Sequence, residues 1–354
     1  MFRHPPRRRA QALLAVCVGT FGASAAWSTP TSHALDRPAI LSQRAAQSLL
    51  LGMAQAGKRL VAVGERGLVV ISNGDTDKWR QVVTPVSVTL TAVRFADDRH
   101  GYAVGHSGTV LVTTDGGDTW ASVLDGHKAA QIALAAAQAS GNSAALRDAE
   151  RQVADGADKP LLDLLVLDAK RAIVIGAYGM AYSTTDSGKS WTTLADRLDN
   201  SRGLHLYSIR QHGERILVSG EQGLVRLSRD GGQTFTTIKT PYDGSFFTAE
   251  LPSAEEIVVA GLRGNLLRSH DGGASWKQTT TSDAASITGS LRRADGSLVL
   301  VNQAGRVFIE NNGALVGLNN TPLPSLTGIF AKSEGSLLAL SVRGIVPIPN
   351  GVKQ

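Results

Sequence analysis

The side chains whose types could carry out chemistry lie in a series of short Gly-x-x-Gly units. Tyr178 and Glu221 occupy two of these units, and Arg66, Arg263 and Arg343 occupy three others. A tyrosine nucleophile, a carboxylate base and an arginine cluster that holds a substrate carboxylate would together support glycoside hydrolysis. Planar guanidinium groups also bind carboxylates or phosphates of a partner without any catalysis. A hydrolase and a binding scaffold are therefore both open interpretations.

Three more polar side chains at variable positions of these units complete the candidate partner-binding set. They are Glu65, His106 and Gln222. No histidine pair has the spacing of a metal site, and neither a Gly-x-Ser-x-Gly elbow nor a phosphate-binding loop occurs. The sequence predicts no metal, no cofactor and no catalytic residue. The plainer alternative is that the exposed arginines only form a polar rim.

The glycine unit, or a close variant of it, recurs along the whole chain. Its last glycine is in turn Gly67, Gly108, Gly179, Gly223, Gly264, Gly305 and Gly344. The interval is about 40 residues, and one interval is about 30 residues longer. Each unit stands between two apolar runs, such as residues 60–63 and 68–71, which predicts a β-hairpin with glycine in the turn.

A second element follows the hairpin, with the skeleton Ser/Thr-x-Asp-x-Gly-x-Thr/Ser-aromatic. Its acids and aromatic residues are Asp115 and Trp120, Asp186 and Trp191, Asp230 and Phe235, and Asp271 and Trp276. Residues 72–79 form a degenerate copy. The carboxylate can accept backbone N–H groups across the turn, and the ring can pack between sheets. Because an active site needs different residues that converge once, this repetition predicts a structural role.

This skeleton resembles the Asp-box, or BNR, repeat of sialidase-like propellers. With the preceding strand and glycine unit, as in residues 101–117, it is similar to the photosystem II stability and assembly factors of chloroplasts and cyanobacteria. The resemblance covers about residues 47–348. It implies a seven-bladed propeller that acts as a non-catalytic scaffold, with a membrane protein or envelope complex as its partner. The Arg-Ile-Pro segment typical of sialidases is absent, which counts against the hydrolase interpretation.

The repeats predict an all-β, seven-bladed β-propeller of four-stranded blades over residues 47–350. In the second copy the expected strands are residues 91–95, 101–104, 109–113 and 120–123. In the last copy they are residues 325–331, 336–340 and 345–348. Because that copy supplies three strands, the N-terminal segment 26–46 is expected to close the ring, with residues 37–42 paired beside residues 345–348.

The long interval falls in the third copy, where residues 126–159 interrupt the β pattern. Residues 128–139 and 143–154 are Ala-rich, and Ser140-Gly141-Asn142 divides them, so we predict a helical hairpin. It either decorates the rim or serves as a partner-binding arm. In a propeller the glycine hairpins and the links between blades open on one face, and we expect the insertion to lie there too.

The N-terminus carries the pattern of an export signal. Four arginines in residues 3–9, an apolar stretch at 12–21 and small residues at 23–25 predict a secretory signal peptide at residues 1–25. Arg8-Arg9 leaves twin-arginine export open beside the general secretory route. Residues 14–17 are similar to a lipobox, but Val16 is a poor residue before a modified cysteine, which argues against a lipoprotein.

Export also changes how the charge of the chain is interpreted. The chain carries +6, but residues 1–25 hold four arginines and no acid, so the mature chain carries +2. A nucleic-acid partner is therefore not expected. No later segment approaches 18 apolar residues, so we expect no stable membrane insertion. The sequence predicts an exported, periplasmic or otherwise extracytoplasmic protein. We expect a monomer, although the sequence leaves its oligomeric state open.

Overall fold

The computed structural model describes residue 1 and residues 33–74, 78–311 and 314–348. The signal peptide predicted at residues 1–25 lies outside the described residues, apart from Met1. Residues 75–77 of the degenerate Asp box also lie outside them. Within the described ranges, no helix is long and apolar enough to cross a membrane.

The described residues form seven antiparallel sheets, six of four strands and one of three, and each sheet pairs its strands in chain order. The first two sheets are β1 (Leu50–Ala56), β2 (Arg59–Gly64), β3 (Val69–Ser72), β4 (Arg80–Val82), and β5 (Leu90–Phe95), β6 (Gly101–Gly105), β7 (Val110–Thr113), β8 (Ala121–Leu124). The third and fourth are β9 (Leu161–Val166), β10 (Ala172–Gly176), β11 (Ala181–Thr184), β12 (Thr192–Thr193), and β13 (Leu206–His212), β14 (Arg215–Gly220), β15 (Val225–Ser228), β16 (Thr236–Thr237). The fifth and sixth are β17 (Phe246–Glu250), β18 (Ile257–Gly261), β19 (Asn265–Ser269), β20 (Lys277–Thr280), and β21 (Ile287–Arg292), β22 (Leu298–Asn302), β23 (Val307–Asn311), β24 (Ala314–Gly317). The seventh is β25 (Leu326–Ala331), β26 (Leu337–Ser341) and β27 (Gly344–Ile348).

The second strand of the first sheet shows why that sheet depends on its neighbours. Successive side chains of a strand point to opposite faces. Val61 and Val63 of β2 pack into a core cluster with Val93 of the second sheet. Leu60 and Ala62, the intervening residues, pack into another cluster with residues 338 and 340 of the seventh sheet. Both faces of the first sheet are thus covered by neighbours, so a continuous apolar run is required there.

The first strands surround the centre of the molecule. Each first strand contacts the first strand of the following sheet, and β25 contacts β1. Thr91 Oγ1 donates to the Leu161 carbonyl at 2.8 Å, and Thr327 Oγ1 donates to the Leu50 carbonyl at 2.6 Å. A cavity of about 820 Å³ is lined by residues from all seven first strands.

Two helices, α1 (Gly126–Ser140) and α2 (Ser143–Asp155), lie between the second and third sheets in the chain and contact each other. Asp125 caps α1 by accepting the Lys128 N–H at 2.9 Å. Asn142 caps α2 by accepting the N–H groups of residues 144 and 145. Gly141, with φ of +67°, makes the turn between them. These are the Ala-rich segments that the sequence marks as helical.

The prediction of an N-terminal closing strand is wrong for the described residues. Residues 34–42 run along the link between β4 and β5: the Ala39 N–H donates to the Thr84 carbonyl at 3.0 Å, and the Ser87 N–H donates to the Ala34 carbonyl at 2.8 Å. Ala34 and Leu35 pack on the core between the first two sheets. These contacts place the segment beside the first two sheets and not beside β27, and the seventh sheet has three described strands.

Candidate functional site

The glycine units form tight turns that hold the connections between sheets. In the first five copies the third residue of the unit has φ between +52° and +57°; these residues are Arg66, Ser107, Tyr178, Gln222 and Arg263. In the first copy the Glu65 N–H donates to the Leu49 carbonyl at 3.1 Å, just before β1. A Cβ atom on Gly64 would overlap that carbonyl oxygen. The glycine is therefore required for close backbone approach.

The last glycine of each unit packs against the link that enters the next sheet. A Cβ atom on Gly67 would overlap the Val86 carbonyl, and one on Gly223 would overlap the Tyr242 carbonyl. Gly108 lies in the same way against Gly126, the first residue of α1. The seven glycine units and the links between sheets thus lie on one side of the molecule, which we call the hairpin face.

The three candidate arginines are exposed on this face but are not equivalent. Arg66 and Arg263 have φ of +53° and +56°. Arg343 lies in a shorter turn, in which Ser341 pairs with Gly344, and it does not have positive φ. The three belong to the first, fifth and seventh sheets. Within the described ranges no ion pair involves any of them.

Two of the other candidate side chains hold backbone in place. Glu65 accepts the Leu49 N–H at 3.2 Å, and Glu221 accepts the His205 N–H at 3.1 Å. These N–H groups lie just before β1 and β13. Gln222 accepts a hydrogen bond from Arg202, and His106 is exposed. The two glutamates therefore have a structural function, whatever else they contact.

The arrangement that glycoside hydrolysis would need is not assembled by any described contact. Tyr178 belongs to the third sheet and Glu221 to the fourth, and each contacts His205. The three arginines belong to other sheets, and no hydrogen bond or ion pair in the described residues joins them to Tyr178 or Glu221.

The structure brings Tyr178 together with three aromatic residues that the sequence did not single out, His205, Tyr207 and Phe247. Tyr178 and His205 lie 4.8 Å apart between ring centroids, His205 and Tyr207 6.1 Å, and Tyr207 and Phe247 5.1 Å, all edge to face. We call these four residues the aromatic ladder. Tyr207 and Phe247 take the second position of their first strands, where other copies have leucine or threonine. That departure from the repeat was the available signal.

Charged residues line part of the central cavity. Asp163 is 5% exposed and accepts from Arg210 Nη1 at 2.6 Å and from Arg94 Nη2 at 3.3 Å. Burial lowers the pKa of Arg94. Burial would also lower the pKa of Arg210, but Asp163 and Glu250 raise it. Because Arg94, Asp163 and Arg210 come from β5, β9 and β13, the two ion pairs connect three neighbouring sheets along the cavity wall.

The Asp boxes lie away from the hairpin face, in the turns between third and fourth strands. Asp115 accepts the Thr119 N–H at 2.9 Å, the Thr119 hydroxyl at 2.6 Å and the Thr113 hydroxyl at 2.8 Å. Asp186, Asp230 and Asp271 make the same three contacts. Hydroxyl and backbone hydrogen bonds lower the pKa of each of these three to about 2. These carboxylates therefore stabilise the turns between the third and fourth strands.

The box aromatics are not buried equally. Trp120, Trp191 and Phe235 are 7–8% exposed, whereas Trp276 is only partly buried. Trp120 Nε1 donates to the Gly117 carbonyl within its own turn, but Trp276 Nε1 donates to the Lys239 carbonyl.

Among the described residues, no group of three or more His, Cys, Asp or Glu side chains is arranged to hold a metal ion.

Comparisons with known sequences point to one family. The sequence model of the family described as "Photosynthesis system II assembly factor YCF48" matches residues 71–146 and 142–314. A photosystem II assembly lipoprotein Ycf48 from a Synechococcus strain is 29% identical over 151 residues, which are 42% of this chain and 45% of that protein. The Ycf48 lipoprotein of a Synechocystis strain is 27% identical over 263 residues, which are 57% and 76%. The chain thus matches less than half of the Synechococcus relative's length.

Solved structures of similar shape support the architecture. YCF48 bound to a D1 peptide has a TM-score of 0.63 at 17% identity, and the match covers 86% of this chain and 94% of that chain. YCF48 from Cyanidioschyzon merolae has a TM-score of 0.64 at 14% identity, covering 85% and 95%. The WD40 β-propeller domain of Doa1 has a TM-score of 0.62 at 13% identity, covering 87% and 93%. At these identities the likeness shows a propeller-like fold and nothing further.

Proposed function

We propose that this chain, which belongs to the family of the photosynthesis system II assembly factor YCF48, is a non-catalytic scaffold for a membrane protein complex. It binds an extracytoplasmic part of that complex and assists its assembly or stability. The predicted signal peptide at residues 1–25 supports export. In this proposal the seven sheets are the blades of a seven-bladed β-propeller, and α1 and α2 are an insertion in the third repeat.

One observation carries the binding part of the proposal. On the hairpin face the backbone geometry of the turn is repeated, but the residue at its tip changes from Arg66 to Ser107, Tyr178, Gln222 and Arg263, and all of these except Ser107 are exposed. A side chain that the turn does not need is free to meet a partner. We therefore assign binding to this face, with Arg66, Arg263, Arg343, Glu65, His106, Tyr178, Glu221 and Gln222 as its candidate contacts. The structure of a relative with a bound D1 peptide supports a peptide-like partner.

The experiment is crosslinking and affinity capture of the tagged, full-length chain from the envelope of its own cells. We expect a membrane protein or a complex of membrane proteins to be recovered with it. Capture of no membrane protein from intact envelopes would contradict the proposal. A fluorogenic sialoside incubated with the same preparation should show no turnover, since no contact among the described residues assembles a tyrosine, a carboxylate and the arginines into a hydrolytic arrangement.

A further inference from the structure

The central cavity combines apolar walls with a few charged groups, as small-molecule sites do. Four of the seven side chains at the second position of the first strands are apolar or aromatic, and these are Leu51, Leu162, Tyr207 and Phe247. The other three are threonines, whose hydroxyls donate to backbone carbonyls of neighbouring first strands. The cavity volume, about 820 Å³, lies within the range of small-molecule sites.

The charged groups of the cavity wall are three arginines and two carboxylates, which are Arg94, Arg210, Arg292, Asp163 and Glu250. Arg292 is paired at 3.1 Å with Glu256, which does not line the cavity. Glu250 accepts the Ser290 hydroxyl at 2.7 Å, and within the described ranges no ion pair joins it to a cation. Arg94 and Arg210 therefore share Asp163 as their one carboxylate partner among the described residues.

Asp163 cannot satisfy both guanidinium groups. One of its oxygens accepts the Leu164 N–H at 2.9 Å and Arg94 Nη2 at 3.3 Å. The other accepts the Ile209 N–H at 3.1 Å and Arg210 Nη1 at 2.6 Å. A carboxylate offers about four acceptor positions, so all of them are used. In the part of the chain that the structure describes, Arg94 Nε, Arg210 Nε and Arg210 Nη2 make no hydrogen bond.

Two cations against one shared carboxylate leave one positive charge without a partner. Burial is the largest influence on both arginines and lowers the pKa; Asp163 and Glu250 outweigh it at Arg210 but not at Arg94. Guanidinium groups bind planar carboxylates through paired N–H donors, so a carboxylate ligand would supply both the missing charge and the missing acceptors. Glu250 repels a second negative charge, which selects a monoanion over phosphate or a dicarboxylate.

We propose that the central cavity binds a free monocarboxylate with an apolar body, such as a medium-chain fatty acid. Its carboxylate accepts hydrogen bonds from Arg94 and Arg210, which Asp163 holds in position. Its apolar body packs toward Tyr207 and Phe247. Tyr207 precedes Arg210 by three residues on β13, which span about 10 Å of an extended strand. This inference goes beyond the scaffold function and does not depend on it.

The test is isothermal titration calorimetry of the tagged chain purified from the cell envelope, with three probes at constant ionic strength. Octanoate has both the carboxylate and the apolar body, octanol has the same chain length without the charge, and inorganic phosphate has charge without the apolar body. We expect octanoate to bind once per chain with a dissociation constant below about 0.1 mM. Octanol and phosphate should each bind at least about thirtyfold more weakly.

Four variants locate the carboxylate of octanoate. Arg94→Gln and Arg210→Gln should each weaken binding by at least about tenfold, because a neutral amide replaces a guanidinium. Arg292→Gln is the matched control, since it removes an arginine of the same wall that is already paired with Glu256, and it should change binding by less than about twofold. Glu250→Gln removes the opposing charge and keeps an oxygen for the Ser290 hydroxyl, so it should strengthen binding by about threefold. A damaged fold would not produce that gain.

Several outcomes would overturn this site. No octanoate binding up to about 1 mM, or equal binding of octanol or phosphate, would reject the class of ligand. Wild-type binding by Arg94→Gln with an unchanged melting temperature, an equal loss in Arg292→Gln, or no gain in Glu250→Gln would each reject the arginine pair as the carboxylate site. The scaffold function is tested separately, since capture of a membrane protein from envelopes can succeed or fail whatever the octanoate titration shows.

Discussion

The Asp-box turns and the hairpin face arise from the same repeat, yet they use it in opposite ways. In the Asp-box turns the side chains recur with the same contacts, as Asp115 and Asp186 do with Thr119 and Ser190. On the hairpin face the backbone recurs, but the tip residue is arginine, serine, tyrosine or glutamine in different copies. Repeated side chains stabilise the four sheets that carry the full box, whereas a repeated backbone with changing side chains leaves a surface for recognition.

The largest effect should come from the box aromatics, and it should differ between copies. Trp120→Ala removes a ring that is 8% exposed in the core between the first two sheets, so we expect a loss of about 3–5 kcal/mol in the free energy of unfolding. Trp276 is only partly buried, and Trp276→Ala should cost about 2 kcal/mol. Denaturant unfolding of both variants measures the difference. Equal losses of stability would contradict this prediction, because they would mean that Trp120 and Trp276 contribute equally despite their different burial.

The turn glycines of the hairpin face should be nearly as sensitive, although their neighbours at the tip are not. Gly67 has φ of +74°, and a Cβ atom there would overlap the Val86 carbonyl. We expect Gly67→Ala to cost about 3 kcal/mol. Gly213 is the control, since it has φ of +58° with no atom within 4 Å of an added Cβ. Gly213→Ala should cost only about 1 kcal/mol, measured for both variants by denaturant unfolding. Similar losses of stability for the two variants would show that the contact between Gly67 and the Val86 carbonyl does not restrict the residue at position 67.

The box carboxylates should give a smaller effect that depends on pH. Asp115→Ala leaves the turn N–H and hydroxyl donors without an acceptor and should cost about 1–3 kcal/mol. The pKa of Asp186, Asp230 and Asp271 is about 2 in the folded chain, below the ordinary 3.8. Their stabilising contribution is therefore complete above about pH 4 and is lost as the pH falls through 2. Melting temperatures between pH 6 and pH 2 should fall over that window, and less steeply in Asp186→Asn. A profile identical to that of the wild type would contradict this assignment.

How far the sequence predicted the fold can be judged strand by strand. For the second copy it predicted residues 91–95 and 101–104, and the structure has β5 at Leu90–Phe95 and β6 at Gly101–Gly105. Glycine turns and apolar runs are local signals that recur, so such boundaries follow from the repeat. The path of residues 34–42 did not follow, because it depends on Ala34 and Leu35 packing against a distant part of the chain.

The candidate site was predicted less completely, for a related reason. Tyr178 and Glu221 lie in the repeated hairpins and could be selected from the sequence. His205, Tyr207 and Phe247 lie in the links and first strands of other copies, and they meet only when three sheets come together. A repeat analysis finds what the copies share, whereas the ladder consists of positions where single copies differ.

The smallest effect on stability and the largest on binding should come from the hairpin arginines. Arg66, Arg263 and Arg343 are exposed and form no ion pair within the described ranges, so reversing all three to Glu should change stability by less than about 0.5 kcal/mol. If they meet acidic groups of the partner, each should contribute about 2 kcal/mol or more to binding. Capture of the partner from envelopes should then be abolished.

The matched control reverses three cations on the opposite side of the sheets, Lys170, Lys189 and Arg229, which are exposed in turns away from the hairpin face. It makes the same change in net charge, so a general loss of electrostatic attraction would weaken both triple variants equally. A loss confined to the hairpin variant would locate acidic groups of the partner opposite the arginines. Full capture by the hairpin variant, with its fold intact, would instead mean that Arg66, Arg263 and Arg343 form a polar rim. Recognition would then have to come from the other candidate residues of the hairpin face, such as His106, Tyr178 and Gln222.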